Sequence, residues 1–345
     1  MAFLESERNY FAMEKTRSVV LVTHSMRDLH ELAGEDPLRE LKERCECRIW
    51  PETIPPGREG LLEALKGCDG LLCLISDRID GEMIRRNPAL RVISSCSVGV
   101  DHIDLAAASA LGIPVGNTPG VLTDTTADLT FALMLAAARR IAEGDVYVRS
   151  GKWKSDSDWG LASFLGVDLT GATLGIVGLG GIGQAVARRA LGFGMRVIGW
   201  SRSGNPVEGV ENVAFAELLS QSDFVSVNVA LAPETEGLFD ARAIASMKPG
   251  AVLVNTARGG IVDDRALAKA LSEKRLAAAG LDVFEGEPID SDHPLTRLNK
   301  VVMTPHIGSA SIRTRFRMAQ LSVQNCLAGL EGRPLLHTAN QDQLT

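Results

Sequence analysis

Thr173-Leu-Gly-Ile-Val-Gly-Leu-Gly-Gly-Ile-Gly-Gln-Ala-Val-Ala187 decides how this chain folds. Thr173 to Val177 is a short apolar run with the composition of a buried strand. Gly178-Leu-Gly-Gly-Ile-Gly183 follows directly, and Gln184 to Ala187 opens a helix. That order of strand, Gly-x-Gly-x-x-Gly and helix is a dinucleotide-binding fingerprint in its required context. Gly178 permits the tight turn, Gly180 lets the backbone approach a pyrophosphate, and Gly183 lets the helix pack closely on the strand. Gly181 and Ile182 complete the loop, which places phosphates at a helix N-terminus.

Downstream, apolar strands recur at 196–200, 224–229, 251–255, 278–283 and 301–304 with helical stretches between them, so six strands describe a doubly wound domain. Upstream, VVLVT at 19–23, LLCLI at 71–75 and RVISS at 91–95 alternate with helical segments in the same way. A long helix is expected from Thr123 to Glu143, and one amphipathic helix runs to about Leu330. The expected fold class is α/β: a Rossmann-type doubly wound parallel-sheet domain (122–308) inserted into a second, flavodoxin-like α/β substrate domain (1–121 with 309–345).

The strand after the fingerprint ends at Trp200-Ser201-Arg202-Ser203, where an NAD-specific site would present a carboxylate to the ribose 2′-hydroxyl. None is there. Serine and arginine suit a 2′-phosphate instead, because a guanidinium matches phosphate geometry and a carboxylate would repel it. The expected cofactor is NADP(H), with NAD(H) possible.

Composition narrows the rest. With 345 residues, 45% of them hydrophobic and 23% charged, the chain reads as globular, two-domain and cytoplasmic. A formal charge of −7 argues against nucleic acid or an anionic membrane as partner. The most apolar helical stretch, Leu129 to Ala138, is about half a membrane span. Residues 1–16 lack the pattern of a secretory signal and read as a frayed extension. The six cysteines contain no CxxC pair and read as free thiols, and the histidines show no metal-binding spacing.

Three polar residues follow strand ends in the nucleotide domain: Arg258 after AVLVNTA, Glu287 beyond Asp282, and His306 after VVMTP. Parallel sheets bind ligands at the carboxyl ends of their strands, so these residues converge on the cofactor crevice. Reduction of a 2-keto acid needs a cation for the carboxylate, a proton donor for the carbonyl oxygen and a hydride. Arg258, His306 and the nicotinamide match those needs in that order. A neighbouring Glu287 would orient the imidazole and favour its protonated form.

Asn255-Thr-Ala-Arg-Gly259, Gly280-Leu-Asp-Val-Phe-Glu-Gly-Glu-Pro288 and Thr304-Pro-His-Ile-Gly308 resemble the arginine, glutamate and histidine signatures of the D-isomer-specific 2-hydroxyacid dehydrogenases. The resemblance spans nearly the whole chain after residue 18. It implies that the backbone N–H groups of Val98 and Gly99 hold the substrate carboxylate opposite Arg258, and that Thr126 lies on the nicotinamide side. By the same resemblance Asp282 meets the carboxamide, while Thr256, Ala257, Thr235 and Gly308 line the cofactor site. The Trp200–Ser203 ending and the Ser97–Asp104 loop look most like the glyoxylate and hydroxypyruvate reductases, which commonly use NADPH. Gly181 stands where the family often has arginine, which places more weight on Arg202. Ala230-Leu-Ala-Pro-Glu-Thr235 departs from the family's usual proline-led run.

A homodimer is the partner the resemblance implies, with Trp153 and Trp159 as candidates to cap a substrate pocket or pack an interface. Two rival functions stay open: a related enzyme for 2-ketogluconate or a phosphorylated glycerate, and a dinucleotide-sensing corepressor-like binding protein. The Ser97–Val100 loop offers no cation for a second phosphate, which disfavours the phosphorylated substrate.

Overall fold

The computed structural model describes residues 17–52, 54–154 and 160–344. Trp159 and the stretch 1–16 lie outside them. The chain divides into two units, one of 1–119 with 315–345 and the other of 120–314.

In the first unit, β1 (Val19–Val22), β2 (Glu46–Ile49), β3 (Gly70–Cys73), β4 (Val92–Ser95) and β5 (Val115–Gly116) form one sheet in the order β2-β1-β3-β4-β5. Every pairing is parallel. Helices α1 (Arg27–Ala33), α2 (Arg39–Arg44), α3 (Arg58–Ala64), α4 (Gly81–Arg85) and α5 (Leu105–Ala110) connect the strands. Successive strand residues point to opposite faces, so Leu21, Leu71 and Ile93 enter one core while Val20, Leu72 and Val92 enter the other. The second core is closed by a helix made much later in the chain. Cys326, Leu327 and Leu330 pack into it, and the Asn340 side chain accepts a hydrogen bond from the Val115 amide at 2.9 Å.

β2 was not expected. Its sequence, Glu-Cys-Arg-Ile, alternates exposed and half-buried positions at the sheet edge and has no apolar run to mark it.

In the second unit, α6 (Thr123–Ala138) and α7 (Ile141–Arg149) precede β6 (Thr173–Val177), α8 (Gly181–Gly192), β7 (Arg196–Trp200) and β8 (Glu211–Asn212). Then come α9 (Phe215–Gln221), β9 (Phe224–Val227), α10 (Ala241–Ser246), β10 (Val252–Asn255), α11 (Asp264–Ser272), β11 (Ala278–Leu281) and β12 (Val301–Met303); α12 (Ile312–Leu330) starts at the end of this unit and from Arg315 onward belongs to the first. The sheet order is β12-β11-β10-β9-β6-β7-β8. All these strands run parallel, and the order in which they are laid down reverses between β6 and β9, the switch point at which such sheets bind ligands. The sheet has seven strands rather than six because β8, a polar edge strand of two residues, pairs with β7. Strands buried on both faces read as near-continuous apolar runs: Leu253 faces one core, and Val252 and Val254 face the other.

The helix expected through Glu143 instead stops at Ala138, because Arg140 adopts a left-handed conformation (φ 54°). The Ala138 carbonyl accepts from the Val167 amide at 3.0 Å instead of continuing the helix. The Arg140 guanidinium holds the break, bonding Glu143 at 2.9 and 2.6 Å while lying 4.7 Å over the Phe164 ring. No helix of the described residues is long and apolar enough to cross a membrane.

Candidate active site

The fingerprint loop leaves β6 at the switch point. Gly178 has φ 101°, and a Cβ there would stand 2.7 Å from the Asn228 backbone, so the loop crosses against β9 in a way only glycine permits. A Cβ on Gly183 would fall 1.9 Å from the Gly178 carbonyl oxygen, which is the close helix-to-strand contact the motif requires. At Gly180 the space is open, with nothing within 4 Å of an added Cβ. Gly180 is also the N-cap of α8 and offers no side chain to bond the first amides of the helix. Gly181 and Ile182 form the first turn behind it. Amides without an internal partner, open space and the positive end of a helix together fit a pyrophosphate.

At the end of β7, Ser201 Oγ is buried without a hydrogen-bond partner, next to the exposed Arg202 and Ser203. A buried hydroxyl lacking a partner is uncommon, and here it suits a ligand oxygen. The Trp200 ring packs against Phe215 at 5.3 Å, and Phe215 meets Phe239 edge-on at 5.6 Å, which steadies this strand end. Thr235 lies in the loop after β9, where its hydroxyl folds the loop on itself: it donates to the Ala230 carbonyl at 2.6 Å and accepts from the Ala232 amide at 2.9 Å.

Arg258, Asp282, Glu287 and His306 ride on loops after β10, β11 and β12, which are neighbours in the sheet. Glu287 and His306 are brought together, with Nδ1 of the ring 2.7 Å from Oε2 of the carboxylate. The other oxygen, Oε1, accepts from the Phe284 amide at 2.8 Å, so both ends of the carboxylate are engaged. Each side chain remains about a third exposed (30% and 32%), so a small molecule can reach the ring. His306 has φ 51°, an unusual conformation for a residue other than glycine.

That backbone is imposed by Asp282. Its Oδ1 accepts from Thr304 Oγ1 at 2.6 Å and from the Ile307 amide at 2.8 Å; its Oδ2 accepts from the Gly308 amide at 2.7 Å. The His306 amide donates to the Asp282 carbonyl at 2.9 Å. Burial pushes the Asp282 carboxyl up, against the pull of these donors.

Arg258 is placed by Asn255, a residue the sequence did not single out. Asn255 Nδ2 donates to the Arg258 carbonyl at 2.9 Å, and its Oδ1 accepts from the Ala257 amide at 3.0 Å. Gly259 follows, and a Cβ there would lie 1.7 Å from the Phe284 carbonyl oxygen, so the arginine loop and the glutamate loop press together. From α6, Thr126 Oγ1 donates to the Gly308 carbonyl at 3.2 Å, and Thr130 and Thr256 share a hydroxyl–hydroxyl bond at 2.8 Å.

In the first unit, the loop of Val98 and Gly99 is shaped by Ser97 Oγ, which donates to the Gly99 carbonyl at 2.6 Å, and by Asn117 Nδ2, which donates to the Val98 carbonyl at 2.9 Å. Both carbonyls are thereby occupied. Trp153 is exposed.

The profile of the D-isomer specific 2-hydroxyacid dehydrogenase NAD-binding domain matches residues 131–308. A glyoxylate reductase of Korarchaeum cryptofilum is 47% identical over 312 residues, 89% of this chain and 93% of the relative. One from Thermococcus litoralis is 46% identical over 316 residues, covering 90% and 95%. Among solved structures, a Thermus thermophilus protein superposes with TM-score 0.84 at 46% identity, covering 93% of this chain and 99% of that one. An NADPH-dependent glyoxylate/hydroxypyruvate reductase of Sinorhizobium meliloti, in complex with NADP and malonate, reaches 0.82 at 29% identity, covering 94% and 98%. The chain uses a nicotinamide dinucleotide, is an oxidoreductase, and belongs to the D-isomer specific 2-hydroxyacid dehydrogenase family.

Proposed function

We propose that the protein reduces glyoxylate, and hydroxypyruvate as a second substrate, to the corresponding 2-hydroxy acid with NADPH. The observation that carries this reading is the imidazole–carboxylate pair of His306, after β12, and Glu287, after β11, the strand next to the one that Arg258 follows, all within the unit that holds the fingerprint. The names of the relatives at 46–47% identity support glyoxylate as substrate.

When bound, the dinucleotide supplies a hydride to the carbonyl carbon. His306 donates a proton from Nε2 to the carbonyl oxygen, while Glu287 at Nδ1 holds the ring in place. Arg258 holds the substrate carboxylate by charge-assisted hydrogen bonds; for the first unit, the family resemblance supports a substrate-binding role for the Val98 and Gly99 amides. Asp282, Thr126, Thr256, Ala257, Thr235 and Gly308 line the nicotinamide half, Gly178 to Gly183 the pyrophosphate, and Ser201 to Ser203 the adenosine end. In domain terms, 122–308 binds the cofactor and the remainder the substrate.

The buried, partnerless Ser201 hydroxyl beside Arg202 supports the 2′-phosphate. Charged hydrogen bonds are worth about 1.5–3 kcal/mol, and exposure of Arg202 puts it at the low end. Arg202→Ala should therefore raise the KM for NADPH about tenfold and leave that for NADH unchanged. Initial rates with each acid and each cofactor test both claims. Turnover with NADH alone would refute the NADPH preference, and no turnover of either acid would refute the substrate.

A homodimer is part of the proposal. Val146, Val148, Leu161 and Leu165, on and after α7, are all exposed, a run of apolar side chains that a lone chain would leave in water. Light scattering behind size exclusion should give twice the chain mass, and Val146→Asp with Leu161→Asp should give the single chain. A monomeric wild-type protein excludes the dimer.

A further inference from the structure

Glu287 owes its place to a turn, and the turn has an anchor the proposed proton relay does not include. Asp263 and Asp264 are adjacent at the start of α11, and only the first serves as the cap: its Oδ1 accepts from the Arg265 and Ala266 amides at 3.0 and 2.9 Å. The Asp264 side chain is therefore free of capping duty. It is buried, with 4% of the residue exposed, and its Oδ2 accepts from the Glu285 amide at 3.0 Å across 21 residues of sequence.

Behind it stands His293, Nε2 lying 3.5 Å from the same oxygen and the ring edge-on to Phe284 at 6.3 Å between centroids. His293 Nδ1 is buried without a hydrogen-bond partner, so the polar contact of the ring with this corner runs through Nε2, which faces Asp264. Burial pushes the Asp264 carboxyl up.

We infer that Asp264, backed by His293, is a positioning residue for Glu287: by holding the Glu285 amide it fixes the Phe284–Glu287 turn and so aims the carboxylate at His306. The inference rests on the relay proposed above. Three contacts define the turn. The Phe284 amide is held by Glu287 itself, the Phe284 carbonyl is pressed against Gly259, and the Glu285 amide is held by Asp264. The first is internal to the turn and the second is steric. Asp264 is thus the one hydrogen-bonded tie from this turn's backbone to α11 among these contacts, and its loss lets the Glu287 oxygens drift from the ring.

The test compares Asp264→Ala, Asp264→Asn and Glu287→Gln in the full chain. Asparagine keeps an oxygen that can accept from Glu285; alanine does not. Misplacement by about 1 Å costs up to ~100-fold in rate. Asp264→Ala should lower kcat about tenfold with the cofactor KM within about twofold, and Asp264→Asn should stay within about twofold on both. Without any cofactor present, hydrogen exchange of the 284–288 segment should accelerate about tenfold in the alanine variant and not in the asparagine one. Should the alanine variant not fold, Asp264→Ser takes its place, its hydroxyl being too short to reach Glu285. Unchanged kcat and protected exchange in the alanine or serine variant overturn the inference, as does an asparagine variant equally impaired. Glu287→Gln separates the two levels. If it loses activity while Asp264→Ala does not, the positioning role alone falls; if it keeps wild-type kcat, the relay falls and the positioning role with it.

Discussion

His306→Asn should lower kcat/KM for glyoxylate by about 10²- to 10⁴-fold, the range spanned by general acid–base catalysis, while the dissociation constant for NADPH stays within a few-fold. Asparagine is the informative replacement because of the backbone. His306 sits at φ 51°, and Asn tolerates the left-handed region where alanine is strained. An alanine variant would mix loss of the proton donor with disturbance of a turn that also carries Gly308. The asparagine amide cannot deliver a proton from the Nε2 position or form the 2.7 Å contact to Glu287 with an imidazole's geometry. Stopped assays for rate and fluorescence titration for binding separate the two effects. A loss smaller than tenfold would exclude His306 as the proton donor.

Asp282→Asn should cost both stability and rate, although it changes only one atom of the side chain. The two carboxylate oxygens accept from two backbone amides and a hydroxyl. Whichever way an asparagine amide is turned, its NH2 group faces a backbone N–H, either Ile307 or Gly308. The Thr304 hydroxyl can rotate to accept, but an amide cannot. A buried donor stranded in this way costs about 1–3 kcal/mol, and the turn must shift to relieve it. Because that turn holds His306, kcat should fall about 100-fold, as expected for a displacement near 1 Å. Thermal unfolding and single-turnover rates read the two consequences separately. Wild-type kcat together with an unchanged Tm would show that the carboxylate does not define the turn.

Much of this architecture is legible in the sequence for one physical reason. Parallel strands buried on both faces carry near-continuous apolar residues, so β6, β7, β9 and β10 stand out as runs. The same reasoning explains what was missed. β2 and β8 are polar edge strands that exist only because a neighbour offers them a ladder. The break after α6 is invisible because Arg140 carries no Gly or Pro signal, and its left-handed turn is held by Glu143 and Phe164.

For the candidate site, Arg258, Glu287 and His306 could be named from their motifs, whereas the contacts that orient them could not. Asn255 acts on Arg258 through its side chain. Asp264 reaches Glu285 over 21 residues and meets His293 only in space. No local spacing encodes such pairs, since they depend on how loops from adjacent strands fold against one another.

The order in which the chain is made gives the two units different histories. The unit of 120–314 is continuous, so both walls of its sheet are synthesised together. The first unit's sheet carries Val20, Val22 and Leu72, yet the helix bearing Cys326, Leu327 and Leu330, and the Asn340 that ties down Val115, are made only after the whole of the second unit. Domains commonly complete in order from the N-terminus as they leave the ribosome. Here that order is inverted: β1 and β3 wait with one face only partly covered, by Leu38, Leu41 and Cys45, until the segment that follows the second unit arrives to complete it.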